Sequence, residues 1–225
     1  GQDVCQCHFK ERKFNMAFNM HGRSLLTIRD WSNEEVKYVL ELSQTLKRQR
    51  YTGISQSVEG HKKNIAVIMQ KDSTRTRSSF EVAAFDLGMN VSYIGGSGSQ
   101  MGKKESIEDT GRVLGGFYDG IAFRGAAHAD VEMLAKHSGV PVWNALTDDF
   151  HPTQMFADYL TVVEEFHRTD VNFSFFGDAR SNMGNSLMLM AAHMGAHFKG
   201  VAPKSYWPEE KLVLKAKEIA KLTGA

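Results

Sequence analysis

The sequence of 225 residues is short of cysteine, of net charge and of long apolar runs, and each shortage removes a class of protein. Its two cysteines, Cys5 and Cys7, are too few for a disulfide framework and lack the second pair that would complete a zinc site. With His8 beside them a metal site is an alternative, but the expectation is an inert leader. The 27 Lys+Arg nearly cancel the 26 Asp+Glu, so no uniform field attracts nucleic acid or an anionic membrane. Any anion must therefore be held locally. No apolar run approaches the ~20 residues that cross a bilayer. Residues 1–16 lack the apolar core of a secretory signal and read as a leader or tag-like segment, which makes cytoplasmic the expected address.

What remains is a folded chain of ordinary composition, 42% hydrophobic and 24% charged, with no internal repeat and no low-complexity tract. Ser32-Asn33-Glu34-Glu35 is a capping box, and Val36, Val39, Leu40 and Leu46 follow at helical spacing. The apolar, partly β-branched run Asn64–Met69 predicts a buried strand, and a helix is expected over 77–87. Strands over 91–94, 120–123 and 140–143 then alternate with helices over 105–117, 129–137 and 154–166. The alternation restarts after a polar break with strands at 171–176 and 198–202 and helices at 185–194 and 208–222. Strict alternation predicts an α/β fold: a parallel sheet with helices on both faces. Residues 17–166 form the complete N-terminal domain of that reading and residues 167–225 an incomplete second α/β domain. Two strands seldom bury both of their faces, so either further chain or a partner is expected to cover that short sheet.

Ligands of open parallel sheets gather beyond the carboxyl ends of the strands. The first strand runs into Ser73-Thr74-Arg75-Thr76-Arg77 and directly into a helix. Free amides, hydroxyls and guanidinium groups at a helix start suit a tetrahedral dianion, phosphate being the simplest, although a capped helix with solvated arginines fits the pentapeptide equally well. The second strand yields the loop Gly95–Lys104, which resembles a nucleotide loop but fails both glycine-rich signatures at Ser97, Met101 and Lys104. A flexible polar loop is its plain reading, one that offers Gln100 and two lysines on glycine hinges. The third and fourth strand ends bring Phe123-Arg124-Gly125 and His151-Pro152-Thr153-Gln154. There an arginine and a histidine can converge on one carbonyl oxygen, and Gln154 can read an amide.

Taken together, these segments, with Lys104-Glu105-Ser106 and Gly177-Asp178-Ala179-Arg180-Ser181-Asn182-Met183-Gly184-Asn185-Ser186, resemble the ornithine carbamoyltransferases from about Phe18 onward. The resemblance implies transfer of a carbamoyl group from carbamoyl phosphate to the δ-amine of ornithine, giving citrulline and phosphate, with no metal or organic cofactor. It implies that Ser73, Thr74, Arg75 and Thr76 hold the phosphate. Arg124 and His151 would polarise the carbonyl, Gln154 contact the amide and Asn182 contact ornithine. Gln100 would arrive from an adjacent subunit, because the family works as a trimer or a multiple of trimers. The family's later Ser-Met-Gly and His-Cys-Leu-Pro segments and its terminal helix have no counterpart in the sequence. Two further readings stay open: a binding or assembly fragment without turnover, and a carbamoyltransferase for another amine.

Overall fold

Ser32 starts the first helix, α1 (Asn33–Tyr51), by accepting from the Glu35 amide at 3.1 Å while the Glu35 carboxylate takes the Ser32 amide at 2.7 Å. From there the chain alternates through β1 (Asn64–Met69), α2 (Thr74–Asp86), β2 (Asn90–Gly95), α3 (Ile107–Phe117), β3 (Gly120–Arg124), α4 (His128–Ser138), β4 (Val142–Leu146) and α5 (Pro152–Phe166). A second series comes next: β5 (Asn172–Phe176), α6 (Asn182–Met194), β6 (His197–Val201), a short 3-10 turn and α7 (Glu210–Thr223). The computed structural model describes residues 19–57, 60–97, 101–102 and 104–225. The leader-like reading of residues 1–16, with Cys5, Cys7 and His8, therefore lies outside the described residues, and so does Gln100.

The first four strands form one parallel sheet in the order β2-β1-β3-β4. Ala66 and Ile68 pair with Ile121 and Phe123 on one face, where Leu114 of α3 and Val131 and Leu134 of α4 pack. Ile65, Val67, Met69 and Ala122 point the other way, against Phe80 and Ala84 of α2. A strand whose residues are buried on both faces reads as an unbroken apolar run, which explains the sequence of β1. Helices α3 and α4 approach so closely that a Cβ at Gly115 would overlap the Ser138 carbonyl.

β5 and β6 form a separate two-stranded parallel sheet, and α6 and α7 pack together beside it. A large apolar cluster joins Val36 and Leu40 of α1, Met155, Phe156 and Tyr159 of α5, Leu187 to Ala192 of α6, and Leu212, Ala216 and Ile219 of α7. α6 is thus buried from Gly184 to Met194. Its far end is fixed by His193, fully buried, whose Nε2 lies 2.8 Å from the Ile28 carbonyl and whose Nδ1 lies 2.6 Å from Asn33 Oδ1. Burial keeps this imidazole below the ordinary histidine range. A neutral ring has one N–H, which the Ile28 carbonyl accepts from Nε2, so the Asn33 side-chain amide has to turn its nitrogen, as donor, toward Nδ1.

Most element limits shift by a residue or two from the sequence expectation, and four of the shifts have a plain cause. β4 runs over Val142–Leu146 rather than 140–143, because Pro141 lacks the N–H a ladder needs and the Val140 amide turns to the Ser138 hydroxyl. α2, α5 and α6 begin at Thr74, Pro152 and Asn182, two or three residues before their apolar periodicity does. Ser73 and Ser181 accept from the third amides of α2 and α6, and Pro152 supplies a preset φ at the start of α5.

Candidate active site

Chain connections leave β1 toward β2 on one side and pass to β3 on the other, so the crevice beyond β1 and β3 is a topological switch point. The strand ends there are tied: the Gln70 amide donates to the Arg124 carbonyl at 2.8 Å, and the Gly125 amide donates to the Leu146 carbonyl at 3.0 Å. Gly125 has to be glycine, since a Cβ would overlap the Gln70 side chain and the Phe123 ring. A cavity of about 900 Å³ opens at this point. Ser73, Arg75, Thr76, Arg124, His151, Gln154 and Asn182 all line it, with Leu146, Thr153 and Met183 among their neighbours.

Each side chain is positioned by its element. Ser73 is the N-cap of α2, and its hydroxyl also donates to Thr76 Oγ1 at 3.0 Å, so the first turn presents hydroxyls beside its free amides. Of the two arginines in this turn only Arg75 lines the cavity; Arg77 stacks on the Tyr93 ring at 3.9 Å and bonds Glu81 at 2.9 Å. Two residues apart on a helix, at ~100° each, they have to face opposite ways. Thr74 does not join the cavity lining: it is the first residue of α2, with its side chain exposed. Arg124 ends β3 with its Nε buried and without a hydrogen-bond partner among the described residues.

His151 sits at the N-cap of α5, its amide donating to the buried Ser186 hydroxyl of α6 at 2.9 Å. Its Nδ1 lies 3.3 Å from Thr153 Oγ1. Burial, and then the neighbouring Arg124 cation, push its pKa down to about 4, so the imidazole is neutral at physiological pH. The cavity's two amides are oriented by acceptors. Gln154 Nε2 donates to Asp158 Oδ1 at 2.8 Å, and Asn182 Nδ2 donates to the Thr147 carbonyl at 2.7 Å. In each the nitrogen is committed and the carbonyl oxygen remains an acceptor for a ligand N–H. Arg75, Arg124 and the imidazole supply donors, so the site suits a ligand with anionic oxygens and N–H groups.

Asp158 is a support that motif reading left out, and Ser186, quoted within the Gly177 to Ser186 segment, had no role assigned to it. Both carry a readable signal: Ser186 is four residues along α6 from Asn182, and Asp158 four along α5 from Gln154, on the same helix faces.

The model of the aspartate/ornithine carbamoyltransferase carbamoyl-P binding domain matches residues 23–164, and that of the Asp/Orn binding domain matches residues 169–225. The chain belongs to the aspartate/ornithine carbamoyltransferase family. A catabolic ornithine carbamoyltransferase of Mycoplasma capricolum subsp. capripneumoniae is 53% identical over 212 residues, which is 93% of this chain and 67% of that protein. Among solved structures, ornithine carbamoyltransferase from Pyrococcus furiosus superposes with a TM-score of 0.89 at 37% identity, covering 93% of this chain and 66% of that one. The enzyme from Gloeobacter violaceus gives 0.80 at 35% identity, covering 90% and 66%. The chain thus spans about two thirds of the length of these carbamoyltransferases.

Proposed function

We propose that this chain carries the carbamoyl phosphate site, and the first part of the amine-acceptor site, of an ornithine carbamoyltransferase. The observation that carries the proposal is the joining of the α2 start, Arg124, His151, Gln154 and Asn182 in one cavity at the switch point of the sheet.

In this reading the amides at the start of α2, with Ser73, Thr76 and Arg75, hold the phosphate, and the exposed Thr74 contributes its backbone rather than its side chain. Charge-assisted bonds of this sort are worth ~1.5–3 kcal/mol each, so a few of them retain a dianion without a metal. Arg124 donates to the carbonyl oxygen. With the Thr153 hydroxyl donating to Nδ1, the neutral His151 ring keeps its proton on Nε2 and donates it to the same oxygen. The amine lone pair attacks the carbamoyl carbon, a C–N bond forms, and the C=O electron pair moves to oxygen. Both donors then strengthen as the oxyanion develops, which is where they lower the barrier. The carbonyl re-forms as the C–O bond to phosphate breaks, and the departing phosphate accepts the amine proton. Asn182 Oδ1 accepts from the amino-acid part of ornithine.

Gln100 completes the phosphate site from a neighbouring copy in a trimer, an arrangement supported by the family resemblance and by the exposed apolar side chains Val82 and Phe85 on α2. A second reading, binding of carbamoyl phosphate without turnover, is favoured by the cavity lining, to which the part of the chain after β5 contributes only Asn182 and Met183 among the described residues. Incubation with carbamoyl phosphate and ornithine, with colorimetric detection of citrulline, tests the proposal. Citrulline above the uncatalysed background supports it. Calorimetric heat with carbamoyl phosphate but no citrulline supports the binding fragment, and neither signal refutes both.

A further inference from the structure

We propose that Asp158 is a positioning residue that locks the Gln154 amide with its oxygen toward the cavity, so that the site selects the amide nitrogen of a carbamoyl group. The inference rests on the carbamoyl phosphate reading above.

A carboxylate has no proton to give, so the 2.8 Å contact between Asp158 Oδ1 and Gln154 has to be made by the Gln154 nitrogen. A side-chain amide otherwise has two nearly isoenergetic orientations, one presenting an acceptor to the ligand and the other two donors. Only the first accepts from the carbamoyl NH₂; the second sets donor against donor. Asp158 lies one helical turn beyond Gln154 in α5, half-buried, and it is not part of the cavity lining, so it reaches the ligand only through Gln154. Among the described residues no cation pairs with Asp158, and its side-chain hydrogen-bond partner is Gln154. Burial opposes its charge and the Gln154 bond favours it, which ties the ionised carboxylate to this one orientation of the amide. A neutral Asn at 158 can give as well as accept, so it removes the choice while keeping the shape.

The test uses two stable phosphonates of equal size: phosphonoacetamide, which carries the amide nitrogen, and acetonylphosphonate, which has a methyl group in its place. Calorimetry on the wild-type chain is expected to show tighter binding of phosphonoacetamide. In Asp158→Asn its Kd should rise about tenfold while that of acetonylphosphonate stays the same, so the preference collapses. In a Gln154→Ala background, Asp158→Asn should change neither affinity further, because the two residues act as one unit. Equal weakening of both ligands, or an unchanged preference, overturns the positioning role. Equal affinities in the wild-type chain overturn the carbamoyl phosphate reading itself, and this inference with it.

Discussion

Protonating His151 should destabilise the fold, and the size of the effect is set by its surroundings. The ring is mostly buried beside Arg124, and its pKa falls from 6.5 to about 4. In the unfolded chain it returns to the ordinary value. Between the two pKa values the unfolded state binds more protons, so stability is full above about pH 6.5 and is lost as pH falls toward 4. At 1.36 kcal/mol per pH unit, the loss between pH 7 and pH 5 is about 2 kcal/mol, approaching about 3 kcal/mol near pH 4. Other buried groups titrate as well; His128 and His193 are also held below the ordinary range by burial. The informative quantity is therefore the difference between wild type and His151→Gln, which keeps an amide donor but does not titrate. Guanidinium unfolding at pH 7, 6 and 5 should show His151→Gln gaining about 2 kcal/mol relative to wild type on acidification. A difference that does not vary with pH would refute the neutral-imidazole assignment.

Arg124→Gln removes the second cause of that shift, so the His151 pKa read from ring chemical shifts should rise above about 4 yet stay below 6.5, since burial is the larger cause. Thr147→Val tests the turn between β4 and α5. This fully buried hydroxyl lies 3.0 Å from His128 Nδ1 and accepts from the Phe150 amide at 3.2 Å, so its loss should cost about 1–3 kcal/mol in chemical denaturation.

The strand–helix alternation and the strand-end segments that line the cavity were legible because both obey local rules. β1 is unbroken apolar sequence because both its faces are covered, and parallel order places the segments after β1, β3 and β4 at one end of the sheet. Helix starts were less legible: hydrogen bonding at α2 and α6 begins at the Ser73 and Ser181 caps, while the apolar face that marks a helix in sequence begins a turn later. The opposite directions of Arg75 and Arg77 result from helical spacing alone once that start is known. The links from α6 to the first domain were not legible. His193 to Ile28, Asn182 to Thr147 and Ser186 to His151 each join segments far apart in the chain, and no short-range pattern encodes such a pairing.

The central claim is that one cavity gathers cationic and hydroxyl groups from separate strand ends around a phosphorylated carbonyl compound. Calorimetric titration of phosphonoacetamide into wild type and Arg75→Ala tests it most directly. The account predicts saturable binding to wild type and at least a tenfold loss in the variant, as expected for one charge-assisted contact. Equal affinity in the two proteins would contradict it.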